Sequence, residues 1–300
     1  MTATTTILVT GATGNVGRQV VSQLLAAHPG RVRALTRDPA TAALPDGVDV
    51  RQGDLADPAA LDAALKGADA VFLMWPFHDA GPAPAVVDAL TWHAGRVVFL
   101  SSGAVQEGVA PERQPHPVGR SHARVEQLIE RSGLVWTHLR PSTFAANTLW
   151  WADQVRAGDV VSGAYGAVPM ALLHEADIAA VTVRALTEDG HHRAAYALTG
   201  PEVLTQAEQV RVIGEVLGRP LRWRELSREE ARQRLLADDS FPDSFVEPLL
   251  DGYAAMLDAP PPAVSRVVEA VTGAPARTYR SWVADHAADF SADFSADFSR

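Results

Sequence analysis

Thr10-Gly11-Ala12-Thr13-Gly14-Asn15-Val16-Gly17 is the densest chemical signal in this chain. It follows the apolar run Ile7-Leu8-Val9-Thr10 and opens a segment where Val16, Val20, Val21, Leu24 and Leu25 recur at helical spacing. Gly11 permits a tight turn, Gly14 lets backbone approach a pyrophosphate, and Gly17 lets the helix pack on the sheet. The free N–H groups of the helix's first turn then face the phosphates, and the helix dipole favours their charge. Glycines alone would read equally as a structural turn. The strand and helix around them point to a dinucleotide, with Thr10, Thr13, Asn15 and Val16 joining the glycines as expected contacts.

The next strand chooses between dinucleotides. An NAD site carries an acid about 20 residues beyond the glycines, holding the ribose 2′-hydroxyl. Here Val32-Arg33-Ala34-Leu35-Thr36 runs into Arg37, whose guanidinium can fork onto a 2′-phosphate. NADP (NADPH) is therefore expected, with NAD the lesser fit. The plain alternative is a solvated Arg37 paired with Asp38. Asp54, after a third strand, is placed to meet the adenine edge with Leu55 beside the ring, although it could also cap a helix.

Short β-branched runs alternate with helical stretches through the first half, the pattern of a parallel sheet with crossover helices. Strands are expected at 7–10, 32–36, 48–52, 70–75, 97–100 and 135–139, with helices at 58–66 and 118–131. Beyond about residue 150 the rhythm changes to glycine- and proline-punctuated segments and charged helices, with capping boxes at Thr205/Glu208 and Ser227/Glu230. A helix is expected from Glu175 through Leu186 and a strand at 195–198. The fold class is α/β: a Rossmann-type doubly wound parallel sheet with a smaller, mostly helical C-terminal substrate region. The expected divisions are 1–150 for dinucleotide binding, 151–287 for a substrate region interleaved with the sheet, and 288–300 for a tail. That tail repeats Ala-Asp-Phe-Ser, reads as frayed or as docking on a neighbouring subunit, and is assigned no chemistry.

Composition narrows the classes. No cysteine occurs in 300 residues, which removes disulfides, thiolate nucleophiles and cysteine-based metal sites. Net charge is -10, and the seven arginines from Arg211 to Arg234 are interleaved with Glu215, Glu225, Glu229 and Glu230. That argues against a nucleic-acid surface. The ten histidines fall in no metal-binding spacing, no Gly-x-Ser-x-Gly elbow occurs, and no apolar run reaches the length of a membrane span. The N-terminal residues do not read as a signal peptide. The expectation is a cytoplasmic monomer or homodimer, acting on a small molecule without metal, nucleic acid or membrane.

Thr10–Gly17, Val32–Arg37, Gly53-Asp54-Leu55, Ser101-Ser102, Glu126 and Ser132–Pro141, followed by Phe144 and Asn147, resemble the NmrA-like group of atypical short-chain dehydrogenases. The likeness is dense from Ile7 to Asn147 and thinner through Asp177-Ile178 and Thr199-Gly200-Pro201. It implies an NAD(P)-binding Rossmann core and a small C-terminal substrate region. Many such proteins use a Tyr-x-x-x-Lys pair in which lysine lowers the tyrosine pKa for proton donation. The matching positions here are Val118 and His122, and the sole lysine, Lys66, lies on an earlier helix. Two readings stay open. One is a reductase on an aromatic or quinone-like carbonyl or conjugated substrate, with the proton from His122 or water and Ser101 or Ser102 orienting a carbonyl. The other is a non-catalytic redox sensor. His122 could equally contact the nicotinamide ribose or be structural.

Further candidates follow the strands. Met74, Trp75, Pro76 and Phe77 begin a loop whose continuation, Asp79-Ala-Gly81-Pro82-Ala-Pro84, has the composition of a lid over cofactor and substrate, or of a plain connection. Gly103 is a substrate candidate, and Pro141, Thr143 and Phe144 are placed against the nicotinamide. Asn147, Trp150 and Trp151 begin a substrate wall. Adjacent tryptophans cannot share one helix face, so one of them is expected to meet ligand, loop or partner.

Overall fold

A computed structural model describes residues 5–28, 30–238 and 241–291, which divide into two compact units. Unit 1 comprises the chain up to Ser142, with Glu175–Leu198 and Arg266–Pro275. Its seven strands are β1 (Thr6–Val9), β2 (Arg31–Thr36), β3 (Asp49–Gln52), β4 (Ala70–Met74), β5 (Arg96–Leu100), β6 (Val135–Pro141) and β9 (Ala194–Leu198). All pair in parallel in the order β3-β2-β1-β4-β5-β6-β9. The order reverses between β1 and β4, the switch point where such sheets open a crevice at their C-terminal ends.

Alternation of side chains explains why the strands read as unbroken apolar runs. Leu8, Val71, Leu73, Val97 and Phe99 enter a core shared with α2 (Pro58–Leu65), α3 (Ala83–His93) and α4 (Pro117–Arg131). Their neighbours Ile7, Val9, Phe72 and Val98 are also wholly buried, pointing to the other side of the sheet. Packed helices α1 (Asn15–Ala27), α6 (Glu175–Thr187) and α10 (Val267–Thr272) complete the unit. Helix α3 is a correction to the expected lid: the chain is helical from Ala83, because Pro82 and Pro84 fit a helix start. Trp75 is a second correction. Its ring is buried in the core with Phe77 edge-on at 4.8 Å, and its indole N–H donates to the Asp79 carbonyl at 2.9 Å. It fastens the loop from below rather than covering a ligand.

Unit 2 comprises Thr143–His174, Thr199–Ser265 and the chain from Ala276. In it β7 (Val160–Gly163) pairs in parallel with β11 (Arg222–Glu225), and β8 (Pro169–Met170) pairs antiparallel with β10 (Leu204–Thr205). Its helices are α5 (Ala152–Ala157), α7 (Gln206–Leu217), α8 (Arg228–Leu236), α9 (Asp243–Asp258) and α11 (Tyr279–Asp285). Both expected capping boxes form, at the starts of α7 and α8. The units part between Ser142 and Thr143 rather than near residue 150, and Glu175–Leu198 returns to unit 1 because β9 extends the sheet beside β6.

The tail is also corrected in part. Phe290, in the first Ala-Asp-Phe-Ser copy, is fully buried against Trp282, and Arg156 bonds the Asp289 carbonyl. The later copies, in 292–300, lie outside the described residues. Replacing Phe290 with alanine should lower stability by about 3–5 kcal/mol, the usual cost of emptying a buried phenylalanine site. Thermal denaturation checks this, and an unchanged Tm would return Phe290 to a frayed tail.

Candidate active site

The bend between β1 and α1 is built for close approach. Gly11 has φ +62, and Met74 lies beneath it so closely that a Cβ there would sit 2.5 Å from the methionine Cε. A Cβ on Gly17 would meet the Gly11 carbonyl oxygen at 2.0 Å, so only glycine lets α1 pack onto the turn. Gly14 differs: its nearest neighbour would be 3.5 Å away, and it is exposed. The space a Cβ would take there is open, as close approach of a phosphate would require.

Helix α1 begins with no side-chain cap and no acid in its first turn. Among the described residues, the N–H groups of Asn15, Val16 and Gly17 have no protein acceptor, since the first bond back is Arg18 N–H to the Gly14 carbonyl at 2.9 Å. Three donors and the positive end of a thirteen-residue helix thus converge beside an open glycine. A pyrophosphate fits this donor set.

Thr10 and Thr13 both brace the bend. The buried Thr10 hydroxyl donates to the Phe72 carbonyl at 3.1 Å and accepts from Met74 N–H at 2.8 Å, tying β1 to β4 at the switch point. Thr13 lends its carbonyl to Arg18 Nε at 2.9 Å. Arg18 also bonds the carbonyls of Ala42 and Ala43, each at 2.9 Å, so one guanidinium clasps the loop after β2 to the glycine bend. Nothing in its spacing separates Arg18 from a solvated helix residue, and sequence reasoning missed it.

Arg37 follows β2 and is exposed, and among the described residues its guanidinium has no partner. Asp38, the alternative partner, turns instead to Thr41 and to the Ala40 N–H at 2.9 Å, bonds that hold its carboxyl below the usual range. Asp54 keeps one oxygen on Ala56 N–H at 2.9 Å, while Asp57 caps α2 through Ala59 and Ala60. Leu55 corrects the expectation of a ring contact: it is buried in the core with Leu35 and Leu61.

At the end of β5 the structure separates two serines. Ser101 is buried and its hydroxyl donates to Glu126 Oε1 at 2.6 Å, so it has no proton left to offer a carbonyl. Glu126 is in turn forked by Arg140, at 3.0 and 2.7 Å, and this pairing raises the arginine pKa. The trio fixes the end of β5 to α4 and β6, which corrects the expectation of Ser101 as a catalytic group. Ser102 is half-exposed. Its oxygen accepts Ala104 N–H at 3.1 Å, and its own proton has no acceptor among the described residues. Beside it, a Cβ on Gly103 would lie 2.7 Å from the Pro141 carbonyl, so glycine here lets the β5 turn pass the end of β6.

His122, on α4, stacks on Phe99 with ring centroids 5.9 Å apart. Burial lowers its pKa, against smaller opposing effects from the Val118 carbonyl and Glu126. Its Nδ1 lies 3.0 Å from that carbonyl. A carbonyl only accepts, so the Nδ1 carries the proton and the neutral ring keeps a lone pair on Nε2. At neutral pH this histidine is an acceptor, which corrects its assignment as proton donor. Nearby, Glu126, Glu130 and His138 bring ligand-type atoms within 4.8 Å of one another. The Arg140 fork already engages both Glu126 oxygens, which marks the group as an ion network of the β6–α4 interface.

In unit 2, the Thr143 carbonyl accepts Leu173 N–H at 2.9 Å and Phe144 bridges Leu173. Phe144 is half-buried, and the half-buried Asn147 amide has no side-chain partner among the described residues. Trp151 packs edge-on against Trp223 at 5.6 Å beside the core, while Trp150 is 42% exposed and meets Phe241 at 5.3 Å. The two tryptophans part as their adjacency requires.

Residues 11–189 match the NAD(P)H-binding family, and the chain belongs to it, among the atypical short-chain dehydrogenases its motifs resemble. It is 42% identical over 284 residues to a (4-alkanoyl-5-oxo-2,5-dihydrofuran-3-yl)methyl phosphate reductase of Streptomyces griseus, covering 94% of this chain and 98% of that one. It is 35% identical to an NAD(P)H azoreductase of Xenophilus azovorans, with the same coverage. A crystal structure of an NADPH-dependent quinone oxidoreductase of Escherichia coli complexed with NADPH superposes with a TM-score of 0.78 at 26% identity, over 93% of this chain and 99% of that one.

Two substitutions test the cradle. Arg37→Ala should raise the KM for NADPH about tenfold and leave that for NADH nearly unchanged, the loss expected for one charge-assisted contact. Gly14→Ala should leave Tm within a few degrees yet weaken both dinucleotides. Equal effects of Arg37→Ala on the two nucleotides would remove its assignment.

Proposed function

We propose that this protein is an NADPH-dependent reductase of small, activated conjugated carbonyl compounds, of the quinone or unsaturated-lactone kind. The observation that carries this reading is the 42% identity, spanning both units, to a reductase whose substrate is a conjugated furanone. Relatives with named activities include an azoreductase and a quinone oxidoreductase, which favours turnover over a sensor role.

When bound, NADPH supplies a hydride from its nicotinamide ring. The first turn of α1 would hold the pyrophosphate, with Gly14 giving room, and Arg37 would meet the 2′-phosphate. That unengaged guanidinium is what supports NADPH over NADH. His122 Nε2, an acceptor, suits a ribose hydroxyl, and the backbone of Trp75, Pro76 and Pro141 lines the strand ends. Ser102 is the serine with a proton to donate to a substrate carbonyl oxygen. Ser102 would hold the oxygen that takes up the electron pair when the conjugated β-carbon is reduced, and water would supply the balancing proton. An oxygen conjugated in this way needs orientation more than a strong acid, which accounts for a site without the tyrosine–lysine pair. Of the wall candidates in unit 2, Phe144, Asn147 and Trp151 are half-buried and Trp150 is exposed. Among the described residues no helix is long and apolar enough to cross a membrane. The reading goes with a cytoplasmic monomer or homodimer.

Ser102→Ala should lower kcat/KM for a quinone about tenfold, one hydrogen bond to developing charge, with KM for NADPH unchanged. His122→Ala should instead raise the KM for NADPH. In the parent enzyme that KM should climb as pH falls below 6.5 through the lowered histidine pKa, because protonation removes the Nε2 lone pair. The pH dependence should vanish in His122→Ala. A kcat limb that disappears with His122 would restore it as proton donor.

A further inference from the structure

Unit 2 contains a pocket of its own, about 90 Å³, several times the ~15 Å³ that one water requires. Its wall is aromatic and aliphatic: Trp150, Leu235, Phe241 and Leu250 contribute, with Phe241 and Leu250 buried. Phe245 extends the aromatic edge, 6.3 Å from Trp150 and 5.6 Å from Phe241. Two glutamines of the wall are committed elsewhere. The Gln154 amide binds both backbone groups of Ser162, at 2.8 and 3.3 Å, and Gln206 donates to the carbonyls of Ala164 and Tyr165 at 3.1 and 2.9 Å.

Three polar groups on the wall have no partner among the described residues, Tyr253, Arg234 and the Ser162 hydroxyl, whereas the carboxylate of the wall, Asp238, is partnered. Tyr253 has no hydrogen-bond partner among the described residues, and burial pushes its phenol up to about 12, so it remains a neutral donor. Arg234 lines the same pocket, and among the described residues it has neither an ion pair nor a hydrogen bond. Four of the other six arginines in this segment are paired. Arg211 pairs with Glu215, Arg219 with Asp159, Arg228 with Glu247 and Asp251, and Arg232 with Glu247. Arg222 and Arg224 likewise have no ion pair among the described residues, and of the three unmatched arginines Arg234 is the one that lines the pocket.

We infer that this pocket binds a small anionic amphiphile, its alkyl or acyl chain against Phe241, Leu250 and Trp150 and its phosphate or carboxylate on Arg234. Apolar walls with a few converging polar groups are the usual make-up of a small-molecule site, and a guanidinium is the preferred partner of a planar or tetrahedral anion. Tyr253 supplies a second donor for a carbonyl or head-group oxygen. That the natural ligand is the reductase's own substrate rests on the reading above; that the pocket takes this chemical class does not.

Calorimetric titration of the intact chain without dinucleotide tests the inference, using octyl phosphate, octanol and inorganic phosphate as probes. Octyl phosphate should bind at one site, at least about tenfold more tightly than either control. Arg234→Gln should bring octyl phosphate down to the level of octanol, and Phe241→Ala should weaken both. Absence of saturable octyl phosphate binding, affinity no better than octanol, or an unaffected Arg234→Gln would overturn it. The comparison of probes on the parent protein stands even if a variant does not fold. NADPH oxidation with menadione, on the same preparation, separates the two readings. Turnover without octyl phosphate binding sinks the pocket alone, and octyl phosphate binding without turnover upholds the pocket while sinking the reductase.

Discussion

Helix α1 starts without a cap, and much else in unit 1 follows from that. A helix end leaves N–H groups unpaired, and proteins ordinarily answer them with a serine, threonine or aspartate. The chain does this at α2, capped by Asp57, and at α7 and α8, where Thr205 and Ser227 close capping boxes, while α3, α5, α9 and α10 start without a side-chain cap. At α1 the cap position is Gly14, and the donors of Asn15, Val16 and Gly17 are left for an anion. The surrounding bonds hold that arrangement still. Thr10 stitches β1 to β4, Met74 fills the space under Gly11, and Arg18 pins the adjacent loop.

The second theme is where protons can and cannot come from. Two groups that spacing offers as donors are disarmed by their surroundings. Ser101 gives its proton to a carboxylate already held by Arg140, and His122 gives one to a main-chain carbonyl while burial keeps the ring neutral. What remains is a half-exposed serine and water. Such a site suits substrates whose electron pair has somewhere stable to go once a hydride arrives, and conjugated carbonyls are of that kind. The chemistry is then set mainly by holding two molecules in line.

Much of the fold was legible because the inner strands β1, β4 and β5 are buried on both faces and so appear as apolar runs. The cradle was legible for a stricter reason: Gly11 and Gly17 sit where a Cβ would collide with a neighbour, so residue type and geometry are bound together. Helix α3 was obscured by its opening Ala83-Pro84, which has loop composition but lies at the one helical turn that tolerates proline. Trp75, Leu55 and Phe290 were misread because an aromatic or leucine beside a motif carries no mark of which way it points; only packing decides that. Arg18 and Ser101 show the same limit for polar groups. Their roles depend on carbonyls and carboxylates distant in sequence, at Ala42, Ala43 and Glu126.

The account rests most heavily on the free donors at the start of α1, and they can be watched one by one. In a two-dimensional amide NMR titration with NADPH, the Asn15, Val16 and Gly17 signals should move strongly and saturate at one equivalent, as their N–H groups engage phosphate oxygens. A titration in which these three amides stay in place, while others shift or none do, would contradict it.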